Sequence, residues 1–310
     1  MSSELIITIF VAGIAAGTTL VFAAVGEIVA ERSGVLNLGV EGMMLAGAVT
    51  GFLVNRQVRA PWLGVAAGIS AGAALALLLA VLVVSFKANQ VVTGLALVIF
   101  AIGMTGYLGE SVVGVPPPVT FERIALPGLS DIPIVGRIFF TQDALVYLSY
   151  VLVPATWWIL FRTRTGLNLR SVGESPESAD AAGLSVTGTR YAAVVVGGAF
   201  AGLAGAYLSL ARAPSWVPNM TAGRGWIAIA LVIFATWSPL RAALGGYLFG
   251  SVEALGFRLQ TVGLEVSTFF IAMMPYLFTI VVLVLISRGS VQRRLAAPSA
   301  LGIAYLREER

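Results

Sequence analysis

Residues 26 to 51 read GEIVAERSGVLNLGVEGMMLAGAVTG, an apolar stretch that carries Asn37 and Glu41 inside it and glycines at positions 26, 34, 39, 42, 47 and 51. A carboxylate near the bilayer centre costs about 2.5–3.5 kcal/mol even on the lenient insertion scale, so it faces a bundle interior or a watery path. Glycines at this density weaken a helix and let backbones approach closely, so a broken or tightly packed segment is expected here. The stretch reads as part of a pathway wall.

The rest of the chain supports a membrane setting. Of 310 residues, 58% are hydrophobic and only 11% charged, and the mean hydropathy of +0.93 is far from a soluble domain's balance. The expected fold is an all-α polytopic membrane protein. At about 20 apolar residues per span it has room for roughly 8–9 transmembrane helices, broken or re-entrant segments included, and none for a soluble catalytic domain. The absence of Cys and His excludes disulfides, Cys or His metal centres, Cys–His nucleophiles and histidine proton relays, and no catalytic or metal-binding residue is expected. The net charge of +4 comes from eighteen Arg and the single Lys87, scattered over loops. That pattern sets topology and does not suggest nucleic-acid binding.

In order, an uncleaved first span is expected over Leu5 to Val29, a second over Val35 to Val54, and a third over Trp62 to Phe86, where Gly64, Gly68 and Gly72 form a packing face. Val91 to Leu108 spans again. Residues 110 to 142 contain Pro116, Pro117, Pro118, Pro127 and Pro133, which rule out continuous helix and leave a surface loop or a short interfacial helix. Ala144 to Phe161 spans back, and residues 162 to 190 follow as a loop with Arg162, Arg164, Arg170 and Arg190. By the positive-inside rule this loop and the tail from Arg288 are cytoplasmic, the Pro-rich insert is outside, and the N-terminus is outside as well. The chain thus reads as one transmembrane domain, 1–310, with halves at 1–161 and 191–287 and a tail at 288–310.

Within the cytoplasmic loop, RSVGESPESADAAGLS has the punctuation of one short helix. Ser175 suits the N-cap, Pro176 the first helical position, Glu177 and Asp180 the early turns, and Gly183 the C-terminal cap. So short a helix is unstable alone and needs a surface to rest on.

The second half repeats the theme of the first. Tyr191 to Ala211 spans with Gly198, Gly202 and Gly205. From Trp226 to Trp237 only twelve residues precede Ser238 and Pro239, too few to cross. Ala242 to Phe257 completes a re-entry, and a last span over 269 to 286 carries a kink at Pro275. The two glycine-flanked, interrupted segments, Gly34 to Val54 and Gly223 to Gly250, hold matching places in the halves and enter from opposite sides, a pointer to a midplane substrate site between inverted repeats.

The runs ERSGVLNLGVEGMMLAGA, ANQVVTGLAL, RSVGESPESADAAGLSVTGTRY and GRGWIAIALVIF together resemble the permease subunits of bacterial ABC importers for branched-chain amino acids, simple sugars and nucleosides. Asn37, Glu41, Gly42 and Met43 are most similar to the nucleoside branch, in particular its shorter permease. The resemblance implies a multi-pass protein of the bacterial inner membrane, paired as a heterodimer with a second, longer permease. It also implies cytoplasmic ABC ATPase subunits, which hold ATP and Mg, and an extracytoplasmic substrate-binding lipoprotein. No cofactor is expected on this chain, which has no G-x-x-x-x-G-K-[ST] phosphate loop of its own. Ser175 to Gly183 then correspond to the family's coupling helix, with Glu177 and Asp180 expected to contact the ATPase while Ala179 and Ala182 pack.

Along the pathway, Asn37 and Glu41 share a helical face if the segment is helical, and could hydrogen-bond a neutral polar solute. Equally, Glu41 could lock the broken helix by accepting backbone N–H bonds. Asn89, Gln90 and Thr93 suit helix capping first and gate lining second. Glu253 is either a second lining residue or half of an outer-interface ion pair, with Arg258 beyond it. Trp62, Trp157, Trp158, Trp226 and Trp237 suit an aromatic belt. An ion-coupled secondary transporter using Glu41 or Glu253 is the alternative class, and the coupling-type loop argues against it. A channel lacks a filter sequence, and an intramembrane enzyme lacks a nucleophile and base.

Overall fold

The computed structural model describes residues 3 to 261, six single helical positions between 270 and 284, and residues 297 to 306. Of the last span expected over 269 to 286 only those six positions are described; its kink at Pro275 and the tail arginines Arg288, Arg293, Arg294, Arg307 and Arg310 lie outside the described residues.

The protein is an all-α membrane bundle. The first half holds α1 (Ser3–Glu31), α2 (Val40–Val58), α3 (Pro61–Ala80, continued by a π turn over Val81–Ser85) and α4 (Gln90–Gly109). After the Pro-rich insert come α6 (Ala144–Arg162), α7 (Arg164–Glu174), α8 (Pro176–Ala181), α9 (Val186–Tyr207, continued by a π turn over Leu208–Arg212), α10 (Arg224–Phe234) and α11 (Pro239–Thr261); α5 (Val135–Phe139) lies in the insert. Five of these, α1, α3, α4, α6 and α9, are long and apolar enough to cross a bilayer. Two more, α2 with 19 residues and α11 with 23, have the length but carry Glu41, Asn55 and Arg56, or Arg241, Glu253 and Arg258, within it.

The most buried of the five apolar helices are α1 and α9, with 72% and 78% of their spans enclosed, against 28% for α4. They are the central posts, and α4 shows its apolar side chains Val92, Ile99 and Phe100 outward. The posts meet their neighbours through small residues. A Cβ on Gly72 would sit 2.2 Å from the Gly198 carbonyl oxygen, and one on Gly202 2.2 Å from that of Gly68. α3 and α9 therefore run antiparallel with backbones in van der Waals contact. The glycine spacing on α3 finds its partner here, on a helix more than a hundred residues away in sequence.

The Pro-rich insert holds both a short helix, α5, and a two-stranded antiparallel ladder that the sequence did not suggest. β1 (Arg123–Ala125) pairs with β2 (Thr141–Asp143) in the register Arg123↔Asp143 and Ala125↔Thr141. Strands of three residues are too short to show alternation. The insert lies at the end of the bundle away from α7 and α8, anchored by Arg137 to Glu4, by Asn55 Nδ2 to the Val119 carbonyl at 2.7 Å, and by Phe121 N to the Leu210 carbonyl.

Asp143 closes the ladder and caps α6, its Oδ1 accepting from Leu145 N at 2.9 Å and Val146 N at 3.1 Å. Burial pushes its carboxyl above the ordinary 3.8, against the pull of those donors. Because the folded-state pKa is raised, stability falls as pH rises through the interval between 3.8 and the raised pKa. Asp143→Asn keeps the acceptor without the buried charge and is expected to leave the unfolding midpoint at pH 7 unchanged or higher. Asp143→Ala is expected to lose about 1 kcal/mol. Thermal unfolding of both variants at pH 5 and 8 checks this: Asp143→Asn should remove part of the pH dependence.

The expected loop at 162–190 contains more order than its composition suggested. α7 fills its first part, α8 the middle, and α9 already begins at Val186. α7 is amphipathic, with Leu169 and Val172 turned inward, which is why an Arg-rich stretch still forms a helix.

Candidate functional site

Two interrupted segments meet at one carboxylate. Residues 32 to 39 leave the helical path before α2, and α10, of eleven residues, reaches only about 16 Å before the chain turns back. Glu41 stands in the first turn of α2, 3% exposed. Its Oε1 accepts from Thr221 Oγ1 at 2.6 Å and from Gly223 N at 2.8 Å, and its Oε2 from Gly225 N at 2.6 Å. The two backbone N–H groups are otherwise orphaned donors at the start of α10. The positive ends of two helix dipoles thus converge on one negative group. Glu41 thus accepts backbone N–H bonds, with a difference from the sequence reading: the helix capped is not Glu41's own segment but α10, from the other half. Gly225 is required for this approach, since a Cβ there would lie 2.6 Å from the Glu41 Cα.

Asn37 does not point along a shared face with Glu41, because it precedes the helix. It is fully buried, and its Oδ1 accepts from Gly39 N at 3.0 Å while its own N–H donates to Glu27 Oε1 at 3.1 Å. Glu27 and Glu31, buried on α1, were missed as site residues. Their four-residue spacing at the end of an apolar run was the signal available. Glu31 receives the indole N–H of Trp237, so Trp237 is not part of an aromatic belt. Thr236 and Trp237 have φ of 49° and 53°, a left-handed turn costly for such residues. It is held by Arg241, whose Nε and Nη2 donate to the carbonyls of Ala235 at 2.7 Å and Thr236 at 3.0 Å. Trp216, fully buried between α2 and the end of α4, packs against Gly109.

Asn89 caps α4, its Oδ1 accepting from Val92 N at 3.1 Å, and Thr93 Oγ1 donates back to the Asn89 carbonyl at 2.7 Å. Gln90 reaches further, its Oε1 accepting from Leu36 N at 2.7 Å and so steadying the irregular segment. Glu253 pairs with Arg224, the first residue of α10, at 2.7 Å. The pair lines a cavity of about 560 Å³ with Arg212, Ser215, Met220 and Arg258. An ion pair at Glu253 is thus present, with Arg224 as its partner.

At the opposite end, α8 has the expected punctuation. Ser175 is its N-cap and Pro176 its first residue. Gly183, at φ 84°, closes a Schellman cap in which Leu184 N donates to the Ala179 carbonyl at 3.0 Å and Gly183 N to that of Asp180 at 2.9 Å. The surface this short helix needs is its own chain: Ala179 is 3% exposed and packs with Val172 of α7 and Val186 of α9. Ala179 therefore faces inward, whereas Glu177, Ser178, Ala181 and Ala182 are exposed.

A bundle of apolar spans, with interrupted helices meeting at a buried carboxylate and a capped short helix on one end, is that of a multi-pass membrane transport protein. The family model for the permease component of branched-chain amino acid transport systems matches residues 9–286, and the chain belongs to this family of ABC transporter permeases, transport subunits rather than enzymes. It is 44% identical to a putative glucose ABC transporter permease of Haloferax volcanii, over 96% of this chain and 97% of the relative. It is 35% identical to a guanosine ABC transporter permease of Bacillus subtilis and 34% to a nucleoside ABC transporter permease of Lactococcus lactis, each over 94% of both chains. A second glucose permease of the same Haloferax and a second guanosine permease of the same Bacillus also match, at 27% and 25% identity. No solved structure matches the chain.

Proposed function

We propose that this chain is the shorter permease of a heterodimeric ABC importer that moves nucleosides inward across the cytoplasmic membrane. The observation that carries the substrate is its end-to-end similarity to guanosine and nucleoside permeases. The local chemistry is compatible with an uncharged solute, since Glu41 and Glu253 both have their charge met within the chain. In this reading α8 docks on a cytoplasmic ATPase that holds ATP and Mg, through Glu177, Asp180, Ala182 and its exposed flank. The second permease is the longer one: this chain covers only 64% and 66% of the second Haloferax and Bacillus permeases. A binding lipoprotein delivers solute at the end bearing β1 and β2. The arginines around α7 support, by the positive-inside rule, a cytoplasmic position for that helix and the tail and an N-terminus outside. Glu253, Arg224 and the cavity they line form the outer vestibule, and Asn37, Glu41, Asn89 and Thr93 support the path from behind by holding its helices.

A second reading, a simple-sugar importer, is favoured by the 44% identity to the Haloferax glucose permease. Uptake of labelled guanosine, uridine, glucose, ribose and leucine separates the readings, measured in cells lacking the chain with and without its restoration. Guanosine or uridine uptake that depends on the chain supports the proposal. Dependence of glucose or ribose alone moves the chain to the sugar branch, and dependence of leucine alone moves it to the amino acid branch. Trapping ATP should abolish uptake, whereas an uncoupler that dissipates ion gradients without lowering ATP should not.

A further inference from the structure

The segment from Pro298 to Leu306 returns to the bundle at a place where α7 already meets the irregular segment before α2, since a Cβ on Gly173 would lie 2.2 Å from the Arg32 carbonyl oxygen, and adds hydrogen bonds to both. Ala300 N donates to the Gly173 carbonyl at the end of α7 at 2.9 Å, and Gly302 N to the Gly34 carbonyl at 3.2 Å. Buried Arg190, at the start of α9, donates through Nη1 to the Ile303 carbonyl at 3.0 Å. Ser299 donates through N and Oγ to Glu174 Oε2 at 3.3 and 3.0 Å. Ala300 is 5% exposed, and Tyr305 packs onto the Val172, Ala179 and Val186 cluster beneath α8. Space for the segment exists because Gly34 has no side chain: a Cβ there would lie 3.1 Å from the Ala300 carbonyl oxygen.

We propose that residues 299 to 305 are a positioning strap, which fixes α8 to the irregular segment before α2. A displacement of α8 then passes through Gly173 and Gly34 to Asn37 and the Glu41 junction. The physical case is that α8 has six residues and buries only Pro176 and Ala179, so its link to the segment before α2 otherwise runs through the single close approach of Gly173 to Arg32. The strap supplies a second attachment on the same rigid path. The inference rests on reading α8 as the ATPase-docking helix, and it assigns the strap no contact with solute.

The test uses the complete transporter, with both permeases, ATPase and binding protein, in proteoliposomes. Two strap variants are compared with the parent: a stop codon in place of Pro298, and Ala300→Pro, which deletes the N–H bonded to Gly173. Expected is an ATPase that still copurifies and hydrolyses ATP at its basal rate, with solute moved per ATP reduced about tenfold. Since the chain has no Cys, Glu174→Cys with Ser299→Cys can be bridged by a short thiol crosslinker within the Ala300→Pro variant. Bridging should restore solute per ATP to within about twofold of the parent, which a misfolded variant could not show. Unchanged solute per ATP without the strap, loss of the ATPase from the complex, or no recovery on bridging would each overturn the proposal. Charge reversal at Glu177 and Asp180 is read separately: an ATPase that stays bound and transports normally refutes the docking role of α8 itself.

Discussion

Glu41→Gln is expected to lower the unfolding midpoint of the solubilised protein before any question of transport arises. The native carboxylate is acceptor-only and receives a hydroxyl and two backbone N–H groups. An amide keeps one acceptor oxygen and turns two donors toward groups that are themselves donors, so at least one buried N–H loses its partner. Each orphaned buried donor costs about 1–3 kcal/mol, and the charge-assisted component is lost as well. A destabilisation of about 3 kcal/mol follows for Gln, and about 3–5 kcal/mol for Glu41→Ala, which abandons all the donors. Thermal unfolding in detergent, with uptake normalised to folded protein, separates the two roles considered for this residue. An unchanged midpoint with lost uptake would show that Glu41 meets the solute; a lowered midpoint with residual uptake per folded molecule shows that it holds α10 in place.

Gly72→Val is expected to remove nearly all folded protein from the membrane. The new Cβ would meet the Gly198 carbonyl oxygen at 2.2 Å and the Gly202 Cα at 2.7 Å. Both obstacles are backbone, so no rotamer change relieves them and α3 must separate from α9 along its length. Overpacking costs about 1–3 kcal/mol where side chains can adjust, and more where a helix must move. Gly106→Ala on α4 is the control, because a Cβ there meets nothing within 4 Å and the helix gains up to about 1 kcal/mol of propensity. Accumulation of a fluorescent fusion and its elution as a single species measure both. Equal accumulation of the two variants would mean that the α3–α9 contact is not what holds the bundle together.

The features readable in advance were those carried by residues close in sequence. Ser175, Pro176 and Gly183 bracket α8 because a cap bonds to groups three to five residues away, and the spacing alone shows whether a donor can be reached. The shortness of α10 followed from counting apolar residues before Ser238 and Pro239. Trp237 was misassigned for the complementary reason: its position near a span end matches a belt, and its real partner, Glu31, is 206 residues earlier. For Glu253 the sequence left open an ion pair without fixing its partner, which is Arg224, 29 residues away. The three-residue strands of the insert left no periodicity to detect, and Trp216 gave no local sign that the middle of α2 and the end of α4 would close over it.

Composition, hydropathy and glycine spacing, summed over each stretch of about 20 residues, determined on their own that this protein is a helical membrane bundle with interrupted segments in both halves. Capping chemistry likewise determined α8. What each buried polar group is for was decided only by tertiary structure. A carboxylate in a membrane must be satisfied by something, and the sequence states that need without naming the donor. For Glu41 the donors arrive from the start of α10, 180 residues downstream, a meeting that depends on how every intervening helix packs.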